Sequence, residues 1–206
     1  MDTRRYSAGV SQYFETSPRS PNRPGTVDLV LPDLHLRLAT DSGVFSADRI
    51  DPGTRILLET VPAPPARGDL LDLGCGYGPV ALTMAVRARG AAVWAVDVNR
   101  RALALTGHNA RTAGLGNVRA CGPEDIDPAV RFAAIWSNPP VRIGKPAMQQ
   151  LLTTWLHRLL PGAEAHLVVH KHLGSDSLQR WLVEQGWSTQ RVASRAGYRI
   201  LRILAR

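Results

Sequence analysis

The chain has 206 residues, 44% of them apolar and 20% charged, with a formal net charge of +8. That length suits one buried α/β domain with short extensions. No apolar run reaches the roughly 18 residues of a membrane span, and no apolar block follows the polar start to make a signal peptide. Cys75 and Cys121 are the two cysteines; they fit neither a disulfide framework nor a metal-ligand spacing, so reduced thiols in a cytoplasmic protein without a metal are expected. Of the 25 basic residues only Lys145 and Lys171 are lysines. Such a charge favours a polyanionic partner, nucleic acid above all, although GC-rich coding also inflates arginine and alanine together.

Residues 1–25 hold Pro18, Pro21 and Pro24 among arginines, a pattern that excludes helix and central strand and reads as a mobile basic arm. Val27, Leu29 and Leu31, then Leu34, Leu36 and Leu38, alternate on either side of Pro32-Asp33 and predict a β-hairpin. Asp51-Pro52-Gly53-Thr54 opens a short helix over 55–61. This entry segment, 26–62, leads into a core, 63–206, of alternating strands and helices. Strands are expected over 70–73, 91–98, 118–121, 132–137 and 165–170. Helices are expected from the glycine-rich turn to about residue 89, then over 100–113, 146–160 and 175–185. A closing hairpin is expected over 188–193 and 198–204. Such alternation predicts an α/β fold with a mostly parallel sheet and helices on both faces. Trp155 and Trp181 occupy apolar helix positions and read as core; His166, His170 and His172 read as framework.

Two turns carry chemistry. Asp72-Leu73-Gly74-Cys75-Gly76-Tyr77-Gly78 stands where a strand hands over to a helix, the context in which such glycines have physical meaning. Gly74 and Gly76 allow a sharp bend and leave no Cβ to hold a ligand away. Asp97 ends the next strand about 20 residues on, the place for an acid that accepts from both ribose hydroxyls of an adenosyl cofactor. A dinucleotide fingerprint requires a further glycine where Pro79 stands. Asp72 would repel a pyrophosphate but suits the ammonium of S-adenosylmethionine, directly or through water. A tight turn with no ligand is the competing reading, and Asp72 and Asp97 in register weigh against it.

The second turn is Ser137-Asn138-Pro139-Pro140-Val141. Two prolines after a buried strand stop the ladder and stiffen the chain at the sheet's carboxyl edge. Asn138 offers a side-chain carbonyl and Pro139 a backbone carbonyl, two acceptors able to hold an amino group with its lone pair toward a sulfonium methyl. Positioning of this kind contributes several kcal/mol without a strong base. Asn-Pro alone is an ordinary turn pair; its place after the fourth core strand gives it the catalytic reading.

With both turns in place the chain resembles the small-domain class I methyltransferases, and within them the small-subunit ribosomal RNA guanine-N2 methyltransferases. The resemblance covers about residues 28–204. It rests on Thr40-Asp41-Ser42-Gly43-Val44-Phe45-Ser46, Asp51 with Gly53-Thr54, the loop 71–79, and Asp97-Val98-Asn99 with Arg101-Ala102. Asn109-Ala110, Ser137-Asn138-Pro139-Pro140-Val141-Arg142 with Gly144-Lys145, Lys171 with Gly174 and Ser177-Leu178, and Gly197-Tyr198-Arg199-Ile200-Leu201 complete it. The family implies a Rossmann-like, mostly parallel seven-stranded sheet with an antiparallel C-terminal strand, preceded by a hairpin. It implies that Phe45 and Ser46 line the cleft and that Asp72, Gly74, Gly76, Asp97 and Asn138 touch the cofactor. Thr54, Cys75, Gly78, Val98 and Asn99 complete the expected cofactor set, and residues 138–141 hold the guanine amine. An acid near the adenine is implied as well, either Glu124 or Asp125. An aromatic residue after the prolines is typical of adenine-N6 or glutamine methylation, and Val141 is more like the guanine-N2 branch. The expected partner is RNA, ribosomal RNA or a small-subunit particle. By charge, Arg4, Arg5, Arg19, Arg23, Arg142, Lys145 and Lys171 are candidates to meet it, with a solvated strand end the equal reading of Lys171; Tyr13-Phe14 either stack on a base or tuck onto the core. Methylation of a protein glutamine or a small molecule, or non-catalytic RNA binding on the same fold, are the alternatives.

Overall fold

The computed structural model describes residues 21–140 and 143–206. Arg4, Arg5, Tyr13, Phe14, Arg19, Val141 and Arg142 lie outside the described residues.

The entry hairpin is β1 (Gly25–Leu31) and β2 (Leu34–Thr40), paired antiparallel with Leu31 opposite Leu34, so Pro32-Asp33 makes the turn as expected. Strand β1 begins within the segment assigned to the arm. Helix α1 (Pro52–Thr60) follows, capped by Asp51, whose carboxylate accepts from Thr54 N at 2.9 Å. Then come β3 (Arg67–Leu73), α2 (Pro79–Arg87), β4 (Gly90–Val96), α3 (Arg100–Thr112), β5 (Val118–Cys121) and β6 (Phe132–Ser137). Helix α4 (Lys145–Leu156), β7 (Leu159–His170), α5 (Ser175–Glu184), β8 (Ser188–Arg195) and β9 (Tyr198–Leu204) complete the chain.

The large sheet has seven strands in the order β5-β4-β3-β6-β7-β9-β8, all parallel except β9, which runs antiparallel to both neighbours. Side chains alternate across it with period two. Leu70, Trp136, Val168 and Ile200 enter one core with the hairpin, α1, α2 and α3. Leu71, Ile135, Leu167 and Leu201 enter the other, beneath α4 and α5. Leu29, Leu38 and Leu57 are each at most 1% exposed within the first core, and burying one leucine contributes about 1.5–3 kcal/mol. The entry segment therefore shares the core's interior.

The widest boundary difference lies between α4 and β7. The helix expected over 146–160 ends at Leu156, and Leu159 already pairs with Phe132 as the start of β7. Pro161-Gly162, with Gly162 at φ 74, sits where the β6–β7 register shifts, so a bulge absorbs residues that break both helix and strand patterns.

Strand β3 is the switch point. The chain leaves it first toward β4 on one side and later returns on the other as β6. The carboxyl ends of β3 and β6 are thus neighbours, the position where open α/β sheets hold their ligands.

Candidate active site

The turn after β3 is tied to the end of β4. Gly74 N and Cys75 N donate to Val96 O at 2.8 and 3.0 Å, and Gly76 N donates to Asp97 Oδ2 at 2.9 Å. Asp97 Oδ1 accepts from Asn99 N at 2.9 Å, and burial raises this carboxyl above its ordinary range. Asn99, 1% exposed, caps α3 through its side-chain oxygen and donates to Gly43 O at 2.9 Å, joining the loop 41–46 to the same strand end.

Three glycines of this turn have φ in the left-handed region, but two of them serve opposite ends. A Cβ on Gly76 (φ 57) would meet nothing within 4 Å: the backbone faces open space. A Cβ on Gly78 (φ 97) would stand 2.7 Å from Leu82 Cδ1 and 3.0 Å from Thr106 Oγ1. Gly78 lets α2 pack close to α3; it does not line the cleft expected for it. Asp72 stands beneath the turn. It is 1% exposed, does not line the cleft, and accepts from Ala81 N at 2.8 Å in the first turn of α2. Burial, with a smaller contribution from Asp97, pushes its pKa up to about 8.

The second turn stands against the first. Ser137 Oγ donates to Leu73 O at 2.6 Å, and a Cβ on Gly74 would be 3.9 Å from both Asn138 O and Pro140 Cδ. Asn138 Nδ2 donates to Asp51 Oδ2 at 2.9 Å and to Thr54 Oγ1 at 3.0 Å. Both amide hydrogens are thereby engaged by the start of α1, which leaves the side-chain oxygen as the group Asn138 can offer a ligand.

A cavity of about 490 Å³ joins the two turns, within the range of small-molecule sites. Phe45, Ser46, Thr54, Gly74, Cys75, Gly76, Asp97, Val98, Asn99, Asn138, Pro139 and Pro140 line it, all of them expected. Phe45 and Val98 stand half-exposed at its rim. Glu124 and Asp125 do not line it; Pro123 of that short turn does, and Asp125 instead accepts from Gly122 N at 2.9 Å. Lys145 begins α4 and Lys171 follows β7; both are exposed and neither lines the cavity.

Asp51, Tyr77, His170 and Tyr198 line the cavity without having been singled out for it. Asp51 had registered as the start of a helix and as part of the shared motif, not as a lining residue, and its partner Asn138 is 87 residues away. His170 and Tyr198 stand edge to face with ring centres 4.8 Å apart, brought together by the β7–β9 register. Trp155 belongs to the core and to the cavity floor at once.

The methyltransferase small domain family matches residues 35–202, and the chain belongs to it. The expectation of S-adenosylmethionine as the cofactor stands with that family. The uncharacterized protein YbxB of Bacillus subtilis is 31% identical over 193 residues, covering 92% of this chain and 96% of that protein. The ribosomal RNA small subunit methyltransferase C of Hahella chejuensis is 38% identical over 144 residues, 67% of this chain but 41% of that protein. Among solved structures, a T. thermophilus 16S rRNA N2 G1207 methyltransferase in complex with AdoMet and guanosine has a TM-score of 0.78 at 26% identity, with 92% of this chain covering 52% of that one. The chain thus spans about half the length of the ribosomal RNA methyltransferases it matches. Among the described residues no helix is long and apolar enough to cross a membrane, and no three His, Cys, Asp or Glu gather as metal ligands.

Proposed function

We propose that this methyltransferase acts on the 2-amino group of guanine in ribosomal RNA, naked or within the small-subunit particle, in the cytoplasm. The observation that carries the reading is the fixed orientation of Asn138, whose amide hydrogens are held by Asp51 and Thr54 and whose oxygen is left for an incoming amine.

The open backbone at Gly76 and the carboxylate of Asp97 fit an adenosyl cofactor, with Val98, Asn99 and Pro123 around its base. S-adenosylmethionine supplies an electrophilic sulfonium methyl when bound. Asn138 Oδ1 and the Pro139 carbonyl accept the two hydrogens of the exocyclic amine, which turns its lone pair out of conjugation and aims it across the cleft. The rigid Pro139-Pro140 pair keeps those acceptors in place, so little reorganisation is required as the bond forms. Half-exposed Phe45 and Val98 narrow the opening and limit water. The relatives named above and the charge of +8 support RNA as the acceptor.

The test is mass mapping of methylated nucleosides in ribosomal RNA from strains with and without the protein, followed by restoration in vitro. N2-methylguanosine should disappear at one position and return on incubation with the protein and S-adenosylmethionine. Absence of methyl transfer to any RNA refutes the reading.

A further inference from the structure

Asp51 is placed to do more than begin a helix. Its Oδ2 accepts from Thr54 N and from Asn138 Nδ2, each at 2.9 Å, while Oδ1 has no hydrogen-bond partner among the described residues. Asp51 and Asn138 both line the cavity. The ring of Tyr198 closes over this corner: a Cβ on Gly53 would lie 2.7 Å from that ring and 2.9 Å from Asp51 Oδ2, so only glycine leaves room for the approach. Two lining residues joined by one hydrogen bond thus each keep one side-chain oxygen without a hydrogen-bond partner among the described residues, Asn138 Oδ1 and Asp51 Oδ1.

We infer that Asp51 is a specificity residue that accepts the ring N1–H of guanine beside the amine held by Asn138. The inference rests on the guanine reading above and deepens it. Guanine is the one common base whose amino group is flanked by a ring N–H. In adenine and cytosine the ring nitrogen next to the amine carries a lone pair instead. A carboxylate facing N1–H gains a charge-assisted hydrogen bond. The same carboxylate facing a lone pair is desolvated without a partner and repelled, and that penalty is what makes a polar site selective. Asp51 would thus discriminate by rejecting the wrong base as much as by holding the right one.

The test compares guanosine, 2-aminopurine riboside and 1-methylguanosine as ligands of the protein loaded with S-adenosylhomocysteine, by calorimetry. 2-Aminopurine keeps the 2-amino group but has a lone pair at N1; 1-methylguanosine keeps O6 and lacks the N1 proton. Guanosine should bind at least about tenfold more tightly than either, about 1.4 kcal/mol. In Asp51→Asn, whose amide can also donate, the preference over 2-aminopurine riboside should shrink to about threefold or less. Equal affinities in the wild-type protein, no guanosine binding, or an unchanged preference in the variant overturns the inference. Should Asp51→Asn fail to fold, the wild-type comparison with both analogues decides alone. Ribosomal RNA methylated at guanine N2 alongside equal nucleoside affinities would remove this role from Asp51 and leave the proposed function intact; RNA that accepts no methyl removes both.

Discussion

Gly76 and Gly78 stand two residues apart in one turn and should fail in opposite ways when given a methyl group. In Gly78→Ala the new Cβ meets Leu82 Cδ1 at 2.7 Å and the Thr106 side chain at 3.0 Å, at a φ of 97. Left-handed backbone costs about 1–2 kcal/mol for a residue with a Cβ, and crowding a packed site adds about 1–3 kcal/mol. For a chain of this size each kcal/mol lowers Tm by about 2–4 °C, so Gly78→Ala should melt about 5–15 °C below the wild type. In Gly76→Ala nothing within 4 Å resists the methyl, so only the backbone term of about 1–2 kcal/mol remains. That methyl stands instead where the cofactor is expected, and should weaken S-adenosylmethionine binding about 10- to 100-fold. Differential scanning calorimetry and isothermal titration on the two variants separate the effects. A Gly78→Ala protein that melts with the wild type, or a Gly76→Ala protein that binds cofactor normally, would refute the division of labour drawn between them.

Other expectations follow from single contacts. Asn138→Ala should lower kcat by about 10²–10³, the loss seen when one preorganised hydrogen-bonding group is removed, and leave the Kd for S-adenosylmethionine within a few-fold in titration. Asp72 is held with a raised pKa near 8, so its unfolded form ionises first; without cofactor, stability falls as pH rises from about 4 to 8, by up to about 1.4 kcal/mol per unit from this group. Asp72→Asn should therefore melt above the wild type at pH 8, with the gap closing toward pH 4; a gap that does not change with pH would contradict the burial described. Asn109, 2% exposed, accepts from Ala39 N at 2.8 Å and donates to Ala39 O at 3.0 Å and Tyr77 O at 2.9 Å. Asn109→Ala leaves those groups unpaired and should lose about 2–4 kcal/mol in urea unfolding.

The turns at Gly74 and Asn138 were legible because their signals are local: a few residues in a row dictate a bend, and the strand before each dictates where it sits. The succession of strands and helices along the chain was legible as well, from short apolar runs alternating with helical stretches. The acceptor side was not. Asp51, His170 and Tyr198 reach the cavity from three distant stretches, and nothing near any of them in sequence announces the meeting. Asp72 and Gly78, expected at the ligand from their places in the motif, are engaged within the fold by a helix start and a neighbouring helix. Neither Glu124 nor Asp125, the acids expected near the adenine, lines the cavity, and Asp125 turns back onto its own loop.

The hydrogen bonds from Asn138 to Asp51 and Thr54 cross the boundary drawn between the entry segment and the alternating core. A fragment cut at residue 63 would keep every residue of both turns yet lose what orients the amide, and would bare Leu70, Trp136 and their neighbours where the hairpin and α1 had covered them. The entry segment, 26–62, is therefore no detachable accessory: the motif after β6 is only half of a tool whose grip is made elsewhere, and a transplant of the nucleotide-binding core into another scaffold would have to carry that grip along.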